Sequence, residues 1–204
     1  MKPLSSTPSQ ARMLGAILLL SACFTQPAHA HAVAAGTMSF TTGLSHPWSG
    51  WDHILAMVAV GLWGAQLGAP ALWLLPVAFP MLMAFGGFLG LVGMPLPGIE
   101  LCIASSAIVL GVMVALQARP PLWVAITLCG LFGLFHGHAH GTELAPGQDG
   151  LLYSIGFVIA TGLLHATGIA LGGIHCWKAG RLVLRAAGAG IAVMGCWFAL
   201  EALA

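Results

Sequence analysis

Apolar residues run along the chain in long blocks separated by short polar or Pro/Gly segments. The blocks fall at Trp51 to Leu67, Ala71 to Val92, Ile99 to Ala118, Pro121 to Phe135, Leu151 to Ile174 and Leu182 to Leu203. A helix rising 1.5 Å per residue needs about 20 residues to cross the hydrocarbon core, so the pattern predicts six transmembrane helices. Breaks as short as Gly68-Ala69-Pro70 and Arg119-Pro120 predict that helices adjacent in sequence are antiparallel neighbours in one compact bundle, with no room for a separate soluble domain. The expected fold is therefore an all-α integral membrane bundle, a single domain over residues 31–204.

One apolar run stands apart from this series. Met13 to Ala22 is too short to span, follows the basic Lys2 and Arg12, and leads to Ala28-His29-Ala30. That is the layout of a secretory signal peptide over residues 1–30, whose removal would start the mature chain at His31 outside the cytoplasmic membrane. Leu20-Ser21-Ala22-Cys23 offers a competing lipoprotein-type cleavage, although a lipid anchor adds little to a chain that already spans the membrane many times.

Composition agrees with the pattern. Of 204 residues 59% are hydrophobic and 5% charged, whereas soluble domains carry about 25% charged residues. A net charge of +1 supplies no basic surface for phosphates and excludes nucleic acid as a partner. The few charges do orient the bundle. Arg119, Lys178, Arg181 and Arg185 all lie in or beside loops that an exported N-terminus and six spans would place in the cytoplasm, while Glu100, Glu143 and Asp149 fall on the opposite side. Signal peptide and positive-inside bias thus predict the same topology, with both termini periplasmic in the inner membrane of a bacterium.

Small residues recur four apart at Gly86/Gly90, Gly133/Gly137/Gly141 and Gly168/Gly172, which reads as close helix packing. Cys102, Cys129, Cys176 and Cys196 stand singly without CxxC spacing, so neither a disulfide framework nor a thiolate cage is indicated.

Against this poverty of charge stand nine histidines, more than Lys and Arg together. His46-Pro47-Trp48-Ser49-Gly50-Trp51-Asp52-His53 places H-x5-D-H at the outer mouth of the first span. Pro47 and Gly50 favour a turn that would return His46 toward Asp52 and His53, and Asp52 suits the positive end of the following helix. Met57 shares the face of His53 one turn deeper. Phe135-His136-Gly137-His138-Ala139-His140-Gly141-Thr142-Glu143 ends the fourth span on the same membrane face. On a helix His136 and His140 would project together about 6 Å apart, the i,i+4 pairing of helical metal sites. His138 would point elsewhere unless the two glycines let the helix unwind. Glu100, at the outer start of the third span, joins this face. His165 lies about 18 Å along the fifth span if that helix begins near Tyr153, close to the midplane, where an ionisable residue is either a functional candidate or a hydrogen-bond tie between helices. His29 and His175 read as incidental.

Imidazoles with carboxylates and no thiolate suit Ni²⁺, Co²⁺ or Zn²⁺, while Cu(I) would want sulfur and Ca²⁺ or Mg²⁺ more oxygen. No GxxxxGK[ST] motif is present, and no ATPase subunit is evident. None is required, since two charges moving down an inside-negative potential release roughly 4.6 kcal/mol per 100 mV. The rival readings are a membrane oxygenase or desaturase with His-ligated iron, which needs more histidines and usually on the cytoplasmic side, and a haem-binding electron carrier. The carrier would need two midplane histidines on different helices; His165 alone qualifies.

The segments HPWSGWDHILAMVAVGLWG and FHGHAHGTE, supported by the stretch around Glu100 and by GLLHATGIALG around His165, resemble the HupE/UreJ family of membrane nickel permeases, encoded beside hydrogenase or urease genes in bacteria. The resemblance runs over essentially the whole mature chain, and the two histidine motifs are its specific part. It implies metal-motif positions at His46, Asp52, His53, His136, His138 and His140. It further implies Ni²⁺ as the transported substrate, Co²⁺ being possible, carried without ATP and with no organic cofactor.

Overall fold

The computed structural model describes residues 39–144 and 147–204; the expected signal segment, with both of its cleavage alternatives, lies outside them. Every regular element among the described residues is helical. A short helix α1 (Ser39–Ser45) leads through a 3-10 turn (His46–Trp48) into α2 (Trp51–Leu67). Then follow α3 (Ala71–Leu91), α4 (Ile99–Leu116), α5 (Leu122–Glu143) and α6 (Gly150–Gly172), a second 3-10 turn (Gly173–Cys176) and α7 (Lys178–Leu203).

The helix limits follow from local chemistry. Gly68 at φ 79° ends α2 and Gly98 at φ 71° precedes α4, a left-handed conformation that costs glycine little. Asp149 caps α6, its carboxylate accepting from the Leu151 and Leu152 amides at 2.9 and 3.0 Å, which satisfies donors with no intrahelical partner.

Five helices, α3 to α7, are long and apolar enough to cross a membrane. The chain is a multi-pass membrane protein. The first expected span, α2, falls outside these five, with 17 residues, about 25 Å of helix. It is also the central helix: every residue from Ala59 to Gln66 is buried, so α2 meets other helices where its companions expose apolar side chains. The exposed surface is apolar around the bundle, with Trp73, Trp123 and Trp177 exposed at one end and Trp48, Trp51 and Trp197 toward the other, the two aromatic belts of a membrane protein.

Helix partners differ from the expected chain-neighbour order. The most extensive contacts join α3 to α5, α4 to α7 and α2 to α6. In α3·α5, Gly133, Gly137 and Gly141 lie against the backbone carbonyls of Phe79, Met83 and Gly87 in turn; both series ascend, so the helices are parallel. Gly61 against Gly168, with Gly172 against Ala65 one turn further along both helices, makes α2·α6 parallel as well. Helices joined by a short loop must be antiparallel, so a parallel pair can never consist of sequence neighbours. The spaced glycines read from the sequence thus serve packing, as expected, but they choose partners two or four helices away. A consequence is that the consecutive α5 and α6 scarcely meet. The cleft between them, bounded by Met83, Gly87, Tyr153 and Phe157, reaches down to His140.

Candidate metal site

The two histidine motifs come together at the end of the bundle where α2 and α6 begin and α5 ends. His46 sits at the start of its 3-10 turn with Pro47 in the first turn, and its carbonyl accepts from the Ser49 amide at 3.0 Å and the Ser49 hydroxyl at 2.6 Å. Beneath it α1 lies on α6, with Gly43 against the Tyr153 carbonyl and Gly156 against that of Phe40. This support aims the His46 ring edge-on at His140, centroids 4.6 Å apart.

Glu143 completes a group. Its Oε2 lies 3.6 Å from His46 Nε2 and 3.8 Å from His140 Nδ1, and one ligand atom from each of the three residues can be chosen so that all lie within 4.8 Å of one another. His140 and Glu143 share a face because they are three residues apart on a continuous helix.

His53 and His136 extend the group inward. The His53 ring is 4.5 Å from that of His140 and 4.8 Å from that of His136. Asp52 Oδ1 accepts from both the His53 amide and His53 Nδ1, each at 2.9 Å. A proton held on Nδ1 by a carboxylate leaves the Nε2 lone pair as the metal-binding face of a neutral imidazole, and His53 Nε2 is buried without a partner. The same logic applies one helical turn below His140. There His136 Nδ1 donates to the Phe132 carbonyl at 2.8 Å, and its Nε2 is likewise buried and unpartnered. Both nitrogens of His140 are buried without a hydrogen bond. Tyr153 and Phe157 wall the site, the Phe157 ring lying 4.3 Å from His140.

The remaining expected residues lie elsewhere. α5 does not unwind at its glycines: it runs unbroken to Glu143, because Gly137 and Gly141 are where the α3 backbone presses closest. His138 is therefore turned away from His136 and His140, and its Nε2 donates to the Met94 carbonyl at 2.6 Å in the loop between α3 and α4. Glu100 is exposed in the first turn of α4, outside the His46–His140–Glu143 group. His165 is buried in α6, and Phe79 separates it from the cluster, the Phe79 ring lying 5.3 Å from His136 and 5.4 Å from His165. The residue that sequence reasoning left out of the site is Glu143. The signal for it was present, since a helix carried three residues past His140 puts that carboxylate beside the imidazole; ending the fourth span at Phe135 hid it.

The His46–His140–Glu143 group offers imidazole nitrogen and carboxylate oxygen without a cysteine thiolate, a donor set for a borderline divalent ion rather than for copper(I) or calcium.

Comparison with known proteins agrees with these motifs. The profile of the HupE / UreJ protein family matches residues 18–198. Protein HupE of Rhizobium leguminosarum bv. viciae is 46% identical over 170 residues, which cover 82% of this chain and 87% of that protein. No solved structure matches the chain.

Proposed function

The chain belongs to the HupE/UreJ family, and from that premise we propose that it carries Ni²⁺, with Co²⁺ as the alternative cargo, from the periplasm to the cytoplasm. The observation that carries the reading is the meeting of His46, His140 and Glu143 within 4.8 Å at one end of a membrane bundle. That end is the outer one if the segment before residue 31 is an export signal and the basic loops stay inside, as the positive-inside rule requires. α2 then brings the number of spans to six, and both termini are periplasmic.

Capture begins with His46, Glu143 and His140 replacing water around the ion. His53 and His136 offer their Nε2 lone pairs one step further in, so the cation is handed between ligand sets rather than held in one cage. Sites that are several and individually incomplete let an ion leave as well as enter. The inside-negative potential, roughly 4.6 kcal/mol per 100 mV for a divalent ion, drives entry without ATP. The cargo would serve a nickel enzyme such as hydrogenase or urease.

Uptake of radioactive nickel into proteoliposomes with a clamped inside-negative potential tests this, with Co²⁺, Zn²⁺ and Mn²⁺ as competitors. Saturable uptake that Co²⁺ competes most strongly, and that is lost in His140→Ala, is the expected result. Uptake no faster than in empty liposomes would refute the transport reading.

A further inference from the structure

Below the outer cluster the bundle holds a second group of polar atoms without partners. His165 is 1% exposed and neither of its ring nitrogens has a hydrogen bond. One helical turn outward on the same face of α6, the hydroxyl of the fully buried Thr161 is also unpartnered. A buried hydroxyl and imidazole so placed are costly in an apolar interior. A serine or threonine in a helix ordinarily relieves that cost by bonding back to its own helix, as Thr167 does to the Leu163 carbonyl at 2.9 Å.

A third polar group comes from the helix opposite. α3 contains Pro76 and Pro80. Proline has no amide hydrogen, so Pro80 leaves the carbonyl four residues before it, that of Pro76, without its helical donor. That carbonyl faces the His165 ring without completing a hydrogen bond to it. Packing sets the level within the bundle: the His165 carbonyl lies against Gly61 of the parallel α2, ten residues or about 15 Å past the start of that 17-residue helix, well inside the bundle rather than at its outer end.

We infer that His165, the Pro76 carbonyl and Thr161 Oγ1 form a second, deeper site for the same divalent ion, separated from the outer cluster by the Phe79 ring. The inference rests on the transport reading and adds to it a place where the ion rests after leaving His136. The site has a single imidazole and two neutral oxygens, fewer and weaker donors than the outer group with its carboxylate, as a site for onward release requires.

Equilibrium dialysis of the purified full chain in lipid nanodiscs against ⁶³Ni²⁺, up to millimolar concentration, separates the possibilities. The wild type is expected to bind two ions per chain, His165→Leu one, and the double variant His140→Ala/Glu143→Gln one. The outer ion retained by His165→Leu shows that this variant is folded. In uptake, His165→Leu is expected to lower the maximal rate by about tenfold while its half-saturating concentration moves less than about twofold, because removing a later site leaves capture intact. A single ion in the wild type that His165→Leu retains, or a maximal rate unchanged in that variant, would overturn the deep site and leave the transport reading standing. No bound ion in any form would overturn both.

Discussion

The His46 end of the bundle and the Gln66 end bury polar side chains in opposite ways. At the Gln66 end each donor meets a carbonyl: Trp63 Nε1 donates to Ala118 at 2.9 Å, Gln66 Nε2 to Val114 at 3.2 Å, Arg119 Nη2 to Gln66 at 3.0 Å and Arg181 Nη1 to His175 at 3.2 Å. The acceptors at Gln66, Val114 and Ala118 lie in or just past the last turns of α2 and α4, where carbonyls lack helical donors and cations are favoured. Even His175 is engaged, its Nδ1 donating to Gly172 at 2.9 Å. At the other end His53, His136 and His140 keep buried ring nitrogens that the protein does not engage. The donors at the Gln66 end account for their own burial, and of its side-chain atoms Gln66 Oε1 stays buried without a partner. On the proposed function the ring nitrogens at the His46 end are the lone pairs kept for a cation, which neutral imidazoles and carboxylates attract.

Removing an outer ligand should have the largest effect. His140→Ala and Glu143→Gln are each expected to lower nickel uptake by about a hundredfold or more with normal amounts of protein in the membrane, since each removes a direct donor. Normal uptake by both would erase the contrast between the two ends. Asp52→Asn should come next, at about tenfold, because its carboxylate orients His53 and outer-shell partners of that kind are worth about 10–100-fold in metal affinity. The loss should show in the half-saturating concentration. Equal losses in Asp52→Asn and Glu143→Gln would make Asp52 a ligand in its own right.

The opposite end should answer in stability rather than transport. Trp63→Phe removes one donor and strands the Ala118 carbonyl, so about 1 kcal/mol of stability should be lost while uptake changes less than about twofold. A large fall in uptake at unchanged thermal stability would move function to the Gln66 end. The smallest effect belongs to His175→Ala, with uptake indistinguishable from wild type. Comparing it with His136→Ala isolates position from residue type, since in both an imidazole Nδ1 donates to a helical carbonyl and only His136 also aims a buried nitrogen into the cluster.

Most helix limits were legible in the sequence, because length and apolarity alone decide where a span fits; Trp51–Leu67 is the same in both readings, and Ala71–Leu91 differs by one residue from its expected end. α5 is the exception. The polar, glycine-rich HGHAHGTE reads as a helix end, and an unsupported helix would pay about 1 kcal/mol for each glycine. Packing on the α3 backbone reverses that preference, and with it came the continuation to Glu143 and the exclusion of His138. Helix pairing was not legible either. The glycine spacing marked Gly133, Gly137 and Gly141 as a contact face, but which helix would meet that face depends on contacts among all seven helices, not on any one of them. The convergence of the two histidine motifs could be anticipated because topology alone assigns both to one membrane face.

The most direct test of the central claim is nickel K-edge X-ray absorption on the purified chain loaded with less than one ion per molecule. The account predicts a first shell of nitrogen and oxygen with the outer-shell scattering of imidazole, no sulfur, and loss of imidazole scattering in His140→Ala. A shell dominated by sulfur, or a spectrum that His140→Ala and Glu143→Gln both leave unchanged, would contradict it.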